Sequence, residues 1–183
     1  MNAGIICQEM SFDDCQSKEG GGGALYIDSS HIVDIEKVDF VNCKANFGGG
    51  IYVYSTSNDE RVKIIECSFT SCQSLSDASN ASTGGSAIYI TSRMSIITDC
   101  KFINNLESQV KIYNSFVRQN GAILEHRKQP RNDVKYCRFE IGKHSKSSLF
   151  YVGGPDGVNC FVKSSVFVGQ IHGRNYHIDG ELL

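Results

Sequence analysis

Two short stretches of the chain decide its fold: residues 38–43, VDFVNC, and residues 67–72, CSFTSC. Each centres on a phenylalanine, with an apolar residue or cysteine two positions before it and a cysteine three positions after it. The same phenylalanine recurs along the chain as Phe12, Phe40, Phe69, Phe102, Phe139 and Phe167, at intervals of 28, 29, 33, 37 and 28 residues. A motif that returns at this kind of interval is typical of a solenoid, in which each repeat is one structural unit.

Aligning the chain on these phenylalanines reveals a further apolar column five positions before each of them. Its members are Cys7, Ile35, Ile64, Ile97, Val134 and Val162. The two residues between this column and the one at minus two are mostly polar. A step of three between apolar columns breaks the alternation of a flat strand, so we predict a bend or bulge that turns the polar pair outward.

A second module lies between successive phenylalanine blocks and consists of a short apolar run led by glycine or serine. The five runs are residues 23–27, 49–53, 86–90, 121–125 and 148–152. They are rich in aromatic and β-branched residues, as strands are, and no stretch of ten or more residues has a helical apolar period. The sequence therefore predicts an all-β, right-handed parallel β-helix of about six rungs, with three short strands in each.

The spacing between modules varies, which predicts loops of different length that leave a constant coil. The connection is short at 44–48 and long at 73–85, 106–120 and 126–133. A solenoid accommodates such insertions because a loop that leaves the coil does not disturb its neighbours.

The composition is that of a folded and nearly neutral protein segment. The chain has 183 residues, of which 40% are hydrophobic, with 18 glycines and only two prolines. The net charge is −2, and no apolar run approaches the length of a membrane span. We therefore predict no nucleic-acid partner and no direct membrane insertion in this segment.

Neither end of the repeat array carries a polar cap. The first repeat lacks a glycine-led strand, and the last stops within the start of another coil. Because an uncapped solenoid exposes its core and strand edges, we expect residues 1–183 to be a single β-helix segment of a longer chain. It would meet flanking repeats or associate end-on with another copy. No secretory signal is visible at the N-terminus, so we expect one to lie upstream.

These modules resemble the GGAI/FxxN repeats of the chlamydial polymorphic membrane proteins, and related repeats in surface proteins of protist parasites. The resemblance covers residues 5–170, and it departs from that pattern where cysteine stands at the asparagine position. Asparagine is kept only at Asn105, and cysteine replaces it at Cys15, Cys43 and Cys72. The last two repeats have Gly142 and Gln170 at this position. The resemblance implies a pectin-lyase-like parallel β-helix, an extracellular or cell-surface location and a role in adhesion, with no catalytic residues.

The eight cysteines suggest a disulfide framework or a zinc site, but seven of them occupy the inward columns. We therefore interpret them as small buried residues. Stacked neighbours such as Cys15 and Cys43 would come near disulfide reach, although parallel side chains are poorly oriented for a bridge. Zinc is disfavoured by the spacing of Cys67 and Cys72 and by the lack of an accompanying histidine pair.

Polysaccharide lyases and glycoside hydrolases also use the β-helix, and they need clustered carboxylates and basic residues on one outer face. Asp13 and Asp14 stand alone in the first repeat, and Asp39 and Asp99 fall in different columns. We therefore predict no catalytic, cofactor-binding or metal-binding residues. A carbohydrate-active enzyme is the alternative hypothesis, and a purely structural repeat segment is another.

Two surface features suggest where such a scaffold would make contacts. The most basic stretch holds His126, Arg127, Lys128 and Arg131, and is a candidate binding loop for an anionic glycan or a host-cell protein. Asn80 begins an Asn-Ala-Ser sequon within the longest polar loop and is a possible glycosylation site. The hypothesis from sequence is thus a non-enzymatic, adhesin-like binding module that presents variable loops on a rigid rod.

Overall fold

The computed structural model describes residues 4–28, 32–54, 61–75, 85–92, 94–105, 110–113, 131–140, 150–153 and 159–168. Every regular element in these ranges is a β-strand. Within the same ranges, no helix has the length and apolar character needed to cross a membrane.

The strands are short, and most of them are three to five residues long. In chain order they are β1 Ile5–Asp13, β2 Leu25–Asp28, β3 Val33–Val41, β4 Lys44–Ala45, β5 Ile51–Tyr54, β6 Val62–Ile65, β7 Ser68–Thr70, β8 Gln73–Ser74, β9 Ile88–Thr91, β10 Met94–Thr98, β11 Lys101–Ile103, β12 Val110–Tyr113, β13 Arg131–Lys135, β14 Arg138–Glu140, β15 Phe150–Gly153, β16 Asn159–Lys163 and β17 Val166–Val168.

The strands form three parallel sheets that wind into one tube. The largest follows the order β16-β13-β10-β6-β3-β7-β11-β14-β17, with β1 also on β3. It is really two faces joined through the long strand β3, because β6 pairs with its first half and β7 with its second. The glycine-led strands form the sheet β15-β12-β9-β5-β2, and β4 pairs with β8. Each strand lies beside its counterpart from the next repeat, which is the defining arrangement of a parallel β-helix.

The recurring phenylalanines lie one above another, as the repeat predicts. The strand registers pair Phe12 with Phe40 and continue rung by rung to Phe167. From Phe12 to Phe139, consecutive ring centroids are 5.4, 4.7, 5.0 and 4.7 Å apart and the ring planes are nearly parallel. The column is flanked by buried aliphatic residues, including Ile35, Ile64 and Ile97. The interior of the tube is therefore a set of stacked ladders of like residues.

The bend predicted between the two apolar columns is a single residue in the left-handed backbone region. Three positions before each phenylalanine, φ is positive at Glu9, Lys37, Glu66, Asp99, Tyr136 and Ser164, with values from 48° to 54°. A second such column lies two positions after the phenylalanine, at Asp14, Asn42, Ser71 and Asn104. Every positive-φ residue other than glycine in the described ranges belongs to one of these columns. The tube thus turns its corners at constant positions, each with one strained residue.

The glycine-led modules begin with a turn that requires glycine at one position. Gly22 and Gly48 have φ of 67° and 58°, and a Cβ atom on Gly22 would lie 2.1 Å from the carbonyl oxygen of Leu25. The position accepts no side chain, because φ is left-handed and the chain folds directly back over it.

Three details of the predicted repeat are wrong. The glycine-led strand of the fifth rung is not 121–125, because β12 takes that place, pairing with β9 on one side and β15 on the other. The predicted loop 106–120 therefore contains a strand of this sheet. The predicted loop 126–133 ends early, since β13 begins at Arg131. The segments 44–48 and 73–85 both begin with strand residues, because β4 and β8 form a small further sheet.

Candidate functional site

Three connections start and return at corresponding positions of their rungs. Segments 55–60, 114–130 and 154–158 each join a strand of the sheet β15-β12-β9-β5-β2 to the strand one corner before the next phenylalanine. Their departure points lie side by side in neighbouring rungs, since Tyr54 pairs with Thr91 and Tyr113 pairs with Gly153. Their return points do as well, because Arg131 pairs with Met94 and Asn159. Connections that are distant in sequence thus start and finish along one edge of the rod.

The structure describes one residue of the predicted binding loop, Arg131. His126, Arg127 and Lys128 lie outside the described residues, as does the sequon residue Asn80. Arg131 does not belong to a loop, because its backbone forms the first residue of β13. The predicted group is therefore divided between a connection and the strand that receives it.

The outer surface of the large sheet carries pairs of opposite charge. The Lys63 ammonium lies 3.8 Å from the Asp34 carboxylate of the preceding rung, and Lys37 lies 3.4 Å from Glu36. The Glu36 carboxylate also accepts a hydrogen bond of 3.0 Å from the Gln8 amide. These exposed pairs neutralise one another, and each contributes little to stability.

Acidic side chains do not converge in the part of the chain that the structure describes. Asp39 and Asp99 project from different columns, as predicted, and no group of three or more histidine, cysteine, aspartate or glutamate side chains there is arranged to hold a metal ion. Asp34, Glu36 and Asp133 lie beside lysines, whereas Asp14 and Asp99 lie at left-handed corners.

Three tyrosines form a column on the outer face of the glycine-led sheet: Tyr26, Tyr52 and Tyr89. They repeat at one position of the module, but the column was not predicted from the sequence. Their ring centroids are 5.1 and 5.3 Å apart, and Phe47 packs at a tilt against Tyr52 and Tyr89. Tyr26 is 58% exposed and Tyr89 only 6%. Because the rings stack on one another, they turn their edges and not their faces to solvent, so the column stabilises the sheet more than it offers a stacking platform.

Burial in this column changes the acidity of its middle member. The pKa of Tyr52 is raised to about 12, chiefly because burial disfavours the phenolate and secondarily because Tyr89 and Tyr26 lie beside it. The hydroxyl therefore remains protonated throughout the physiological range.

The cysteines form two interior ladders directly after the two left-handed corners. Cys67, Cys100 and Cys137 follow the first corner, and Cys15, Cys43 and Cys72 follow the second. All seven cysteines whose side chains are described, these six and Cys7, are free thiols. The prediction that they serve as small buried residues is confirmed for five of them, while Cys7 and Cys15 in the first rung are partly exposed.

The thiols also satisfy backbone carbonyl groups, a role that sequence reasoning missed. Cys72 Sγ donates to the carbonyl oxygen of Phe40 in the preceding rung at 3.6 Å, and Cys43 Sγ donates to that of Phe12 at the same distance. Asn105 is next in the ladder, and its Nδ2 donates to the carbonyl of Phe69 at 3.0 Å while its Oδ1 accepts from the Cys72 N–H at 2.8 Å. Cysteine thus makes a weaker hydrogen bond to the same backbone carbonyl position that asparagine uses. The alternation of cysteine and asparagine in one alignment column could have indicated this shared role.

The other ladder follows the same rule. Cys100 Sγ lies 3.2 Å from the carbonyl oxygen of Thr98 in its own rung and 3.5 Å from that of Ile64 in the preceding rung. Cys137 Sγ likewise lies 3.2 Å from the carbonyl oxygen of Lys135 and 3.6 Å from that of Ile97. At the next position Ser165 replaces cysteine, accepting from the Cys137 N–H at 3.3 Å and donating to the carbonyl of Lys163 at 3.1 Å. Both ladders therefore connect successive rungs at the corners, where the regular strand hydrogen bonds are interrupted.

Contact between stacked thiols separates their acidities. Hydrogen bonding with Cys72 lowers the pKa of Cys43 to about 7, and the same interaction together with burial raises the pKa of Cys72. In the first rung, burial and the neighbouring Cys43 raise the pKa of Cys15.

Comparison with known proteins agrees with this architecture. A family profile described as the right handed beta helix region matches residues 4–180. No curated protein and no solved structure matches the chain. The profile spans nearly all of the 183 residues, and the sheets, ladders and corners are those of such a coil. The chain belongs to the right-handed β-helix family.

Proposed function

We propose that this protein is a non-enzymatic scaffold of the cell surface or extracellular space, which presents variable loops to a host-cell protein or glycan. The observation that carries the proposal is that the spacing between rungs does not change with the length of the connections. Phe40 and Phe69 are 29 residues apart and Phe102 and Phe139 are 37 apart, yet both pairs of ring centroids are separated by 4.7 Å. A coil of this kind allows loop sequences to change while their anchor points stay in place.

The strand residues from which the connections start support a binding surface formed by several connections together. Segments 114–130 and 154–158 begin at paired residues of adjacent rungs, about 4.8 Å apart along the axis. Segment 114–130 contains His126, Arg127 and Lys128, a charge pattern suited to an anionic glycan such as a sulfated polysaccharide. The resemblance to polymorphic membrane protein repeats supports the surface location and the adhesive role.

Heparin binding tests this proposal directly. Replacement of 114–130 with a short Asn-Gly turn should abolish retention on immobilised heparin, and Arg127→Gln with Lys128→Gln in the intact loop should weaken it severalfold. Replacement of 55–60 at the same edge is the matched control and should leave retention unchanged. The thermal midpoint of each variant verifies folding. Equal retention by the parent and by both variants of the basic loop would refute the proposal.

A further inference from the structure

One outer face of the large sheet carries opposite charges in a single column of side chains. We call it the β3–β7–β11 face, because it is formed by the second half of β3 and by β7 and β11. Its outward residues form two columns, Asp39, Ser68 and Lys101 in one and Val41, Thr70 and Ile103 in the other. Asp39 and Lys101 are exposed, and the other four are half-buried. The face lies within the array, since β1 continues the sheet beyond β3 and β14 continues it beyond β11.

The charges of Asp39 and Lys101 are not paired within the described part of the chain. The ion pairs of the large sheet that are described there all lie at the first left-handed corner or on the other side of it. Asp39 and Lys101 are two rungs apart with Ser68 between them, so their backbones are separated by roughly 10 Å. The face therefore presents an acid and a base to solvent on either side of a small uncharged residue.

A second copy of this face supplies the missing partners when its rod runs in the opposite direction. A two-fold axis that is parallel to the strands and passes over Ser68 keeps each column opposite itself and reverses the order of the rungs. Asp39 of each copy then lies opposite Lys101 of the other. Val41 lies opposite Ile103, so apolar side chains meet beside each ion pair. Sheets that pack face to face are about 10 Å apart, a gap that an aspartate and a lysine side chain span together.

We propose that the protein self-associates through the β3–β7–β11 face, as an antiparallel pair of rods related by two-fold symmetry. Such an interface requires a surface that complements itself, and the order of acid, small neutral residue and base meets this requirement. Parallel rods, related by an axis along the tube, would instead place Asp39 opposite Val41 and leave both charges unpaired. A polyanion is the other candidate occupant, but Asp39 would repel it.

The surroundings of the face set the strength of this association. Arg138 extends the basic end of the column and would lie one rung from Asp39 of the other copy. At the neighbouring corner Lys37 would lie opposite Asp99, whereas Glu66 would lie opposite its own copy. The face is smaller than the roughly 800 Å² that each partner contributes to a stable complex. The association is therefore weak, and it is sensitive to salt because it depends on exposed charges.

Reversal of the two charges tests the interface and its orientation. In sedimentation velocity at low salt, the 183-residue protein should show a concentration-dependent equilibrium of monomer and dimer, which high salt shifts to monomer. Asp39→Lys and Lys101→Asp should each weaken association by roughly tenfold or more, because like charges then meet twice. The equimolar mixture of these two variants should associate as well as the parent, since one copy contributes two lysines and the other two aspartates. Lys44→Asp, at an exposed position of β4, is the matched control and should associate like the parent.

The mixture also separates a broken interface from a misfolded variant, because both variants must be folded to associate with each other. A parent that stays monomeric at low salt, or a mixture that associates no better than the single variants, would overturn the proposal. So would dimers that persist in both single variants, which would place the contact elsewhere on the rod. Retention of a monomeric parent on heparin that Lys101→Asp abolishes would assign the face to a polyanion and refute self-association.

Discussion

At the scale of single residues, the ladders depend on small polar side chains that reach the backbone of the neighbouring rung. A left-handed corner interrupts the strand pairing, so buried N–H and C=O groups near it need another partner. Cysteine, asparagine and serine provide it at equivalent positions, with asparagine making two bonds where a thiol makes weaker ones. The cysteines therefore pack as small apolar residues in the core and also form hydrogen bonds to the backbone.

Substitution of Asn105 measures this role. Asn105→Ala leaves the Cys72 N–H and the Phe69 carbonyl without these bonds and should lower the free energy of unfolding by about 2–3 kcal/mol. Asn105→Cys should be less damaging, because cysteine at the same position in neighbouring rungs donates to the equivalent carbonyl. Urea denaturation compares the two variants. An equal loss for both would show that a thiol at this position does not replace the amide's bonds, and an unchanged stability in Asn105→Ala would show that these bonds are energetically unimportant.

Tyr52 makes stability depend on pH in the alkaline range. Its pKa rises from the ordinary 10 to about 12 in the folded protein. A raised pKa means that the unfolded chain loses this proton first, so the contribution is complete below pH 10 and is lost as pH rises toward 12. We expect the thermal midpoint to fall less steeply over this interval in Tyr52→Phe than in the parent. Identical slopes would contradict the burial of the hydroxyl.

At the scale of elements, each corner is one residue whose conformation does not depend on its type. Glutamate, lysine, aspartate, tyrosine and serine all adopt φ near 50° in the first corner column. Because L-residues other than glycine disfavour this region, the strand pairs on either side must impose it. The strain is small at each corner but is repeated in every rung.

Glu66 provides a test of this imposed conformation. Glu66→Val should destabilise the protein by about 1–2 kcal/mol, since a β-branched residue is especially unfavourable at φ of 53°. Glu66→Gly should be neutral or stabilising, because relief of strain offsets the added freedom of the unfolded chain. Ser68→Val in β7 is the matched control and should change the free energy of unfolding by less than about 0.5 kcal/mol. A harmless valine at position 66 would contradict the left-handed corner.

The columns that could be predicted from sequence are those in which a distinctive residue recurs. The phenylalanines and their apolar neighbours identify the rungs, and the odd spacing between columns indicates a bend. The first left-handed corner column carries no residue preference in this chain, so its exact position could not be read from the sequence. The second column is mostly aspartate and asparagine, which favour the left-handed region, and this signal was overlooked. The β12 segment was missed because Val110–Tyr113 lacks the leading glycine, and the glycine at 121 offered a better match to the motif than the true strand.

At the scale of the whole molecule, the rod is a series of nearly identical rungs in which each contacts mainly the one before and the one after. Stability then comes from the sum of contacts between neighbouring rungs. Inserted residues have very different consequences depending on where they enter. Those in a connection leave the coil unchanged, whereas those within a rung alter which side chains face the interior.

Insertions at two positions compare these consequences. Duplication of segment 76–84 doubles the connection and should cost about 0.6 kcal/mol. One alanine inserted between Ser68 and Phe69 reverses the inward alternation of β7 and should remove Phe69 from the column, with loss of the cooperative transition in urea. Comparable midpoints of urea denaturation for the two variants would contradict the claim that the length of a connection leaves the coil unchanged.

The single phenylalanine column is the feature on which the fold and the scaffold proposal both depend. Its most direct measurement is the nuclear Overhauser contact between rings in protein that is protonated only at phenylalanine rings, with assignments from single Phe→Leu variants. We expect cross-peaks between consecutive members, whose centroids are 4.7 to 5.4 Å apart from Phe12 to Phe139, and none between Phe40 and Phe102. Missing contacts between consecutive rings, or a direct contact between Phe12 and Phe102, would contradict the stacked tube.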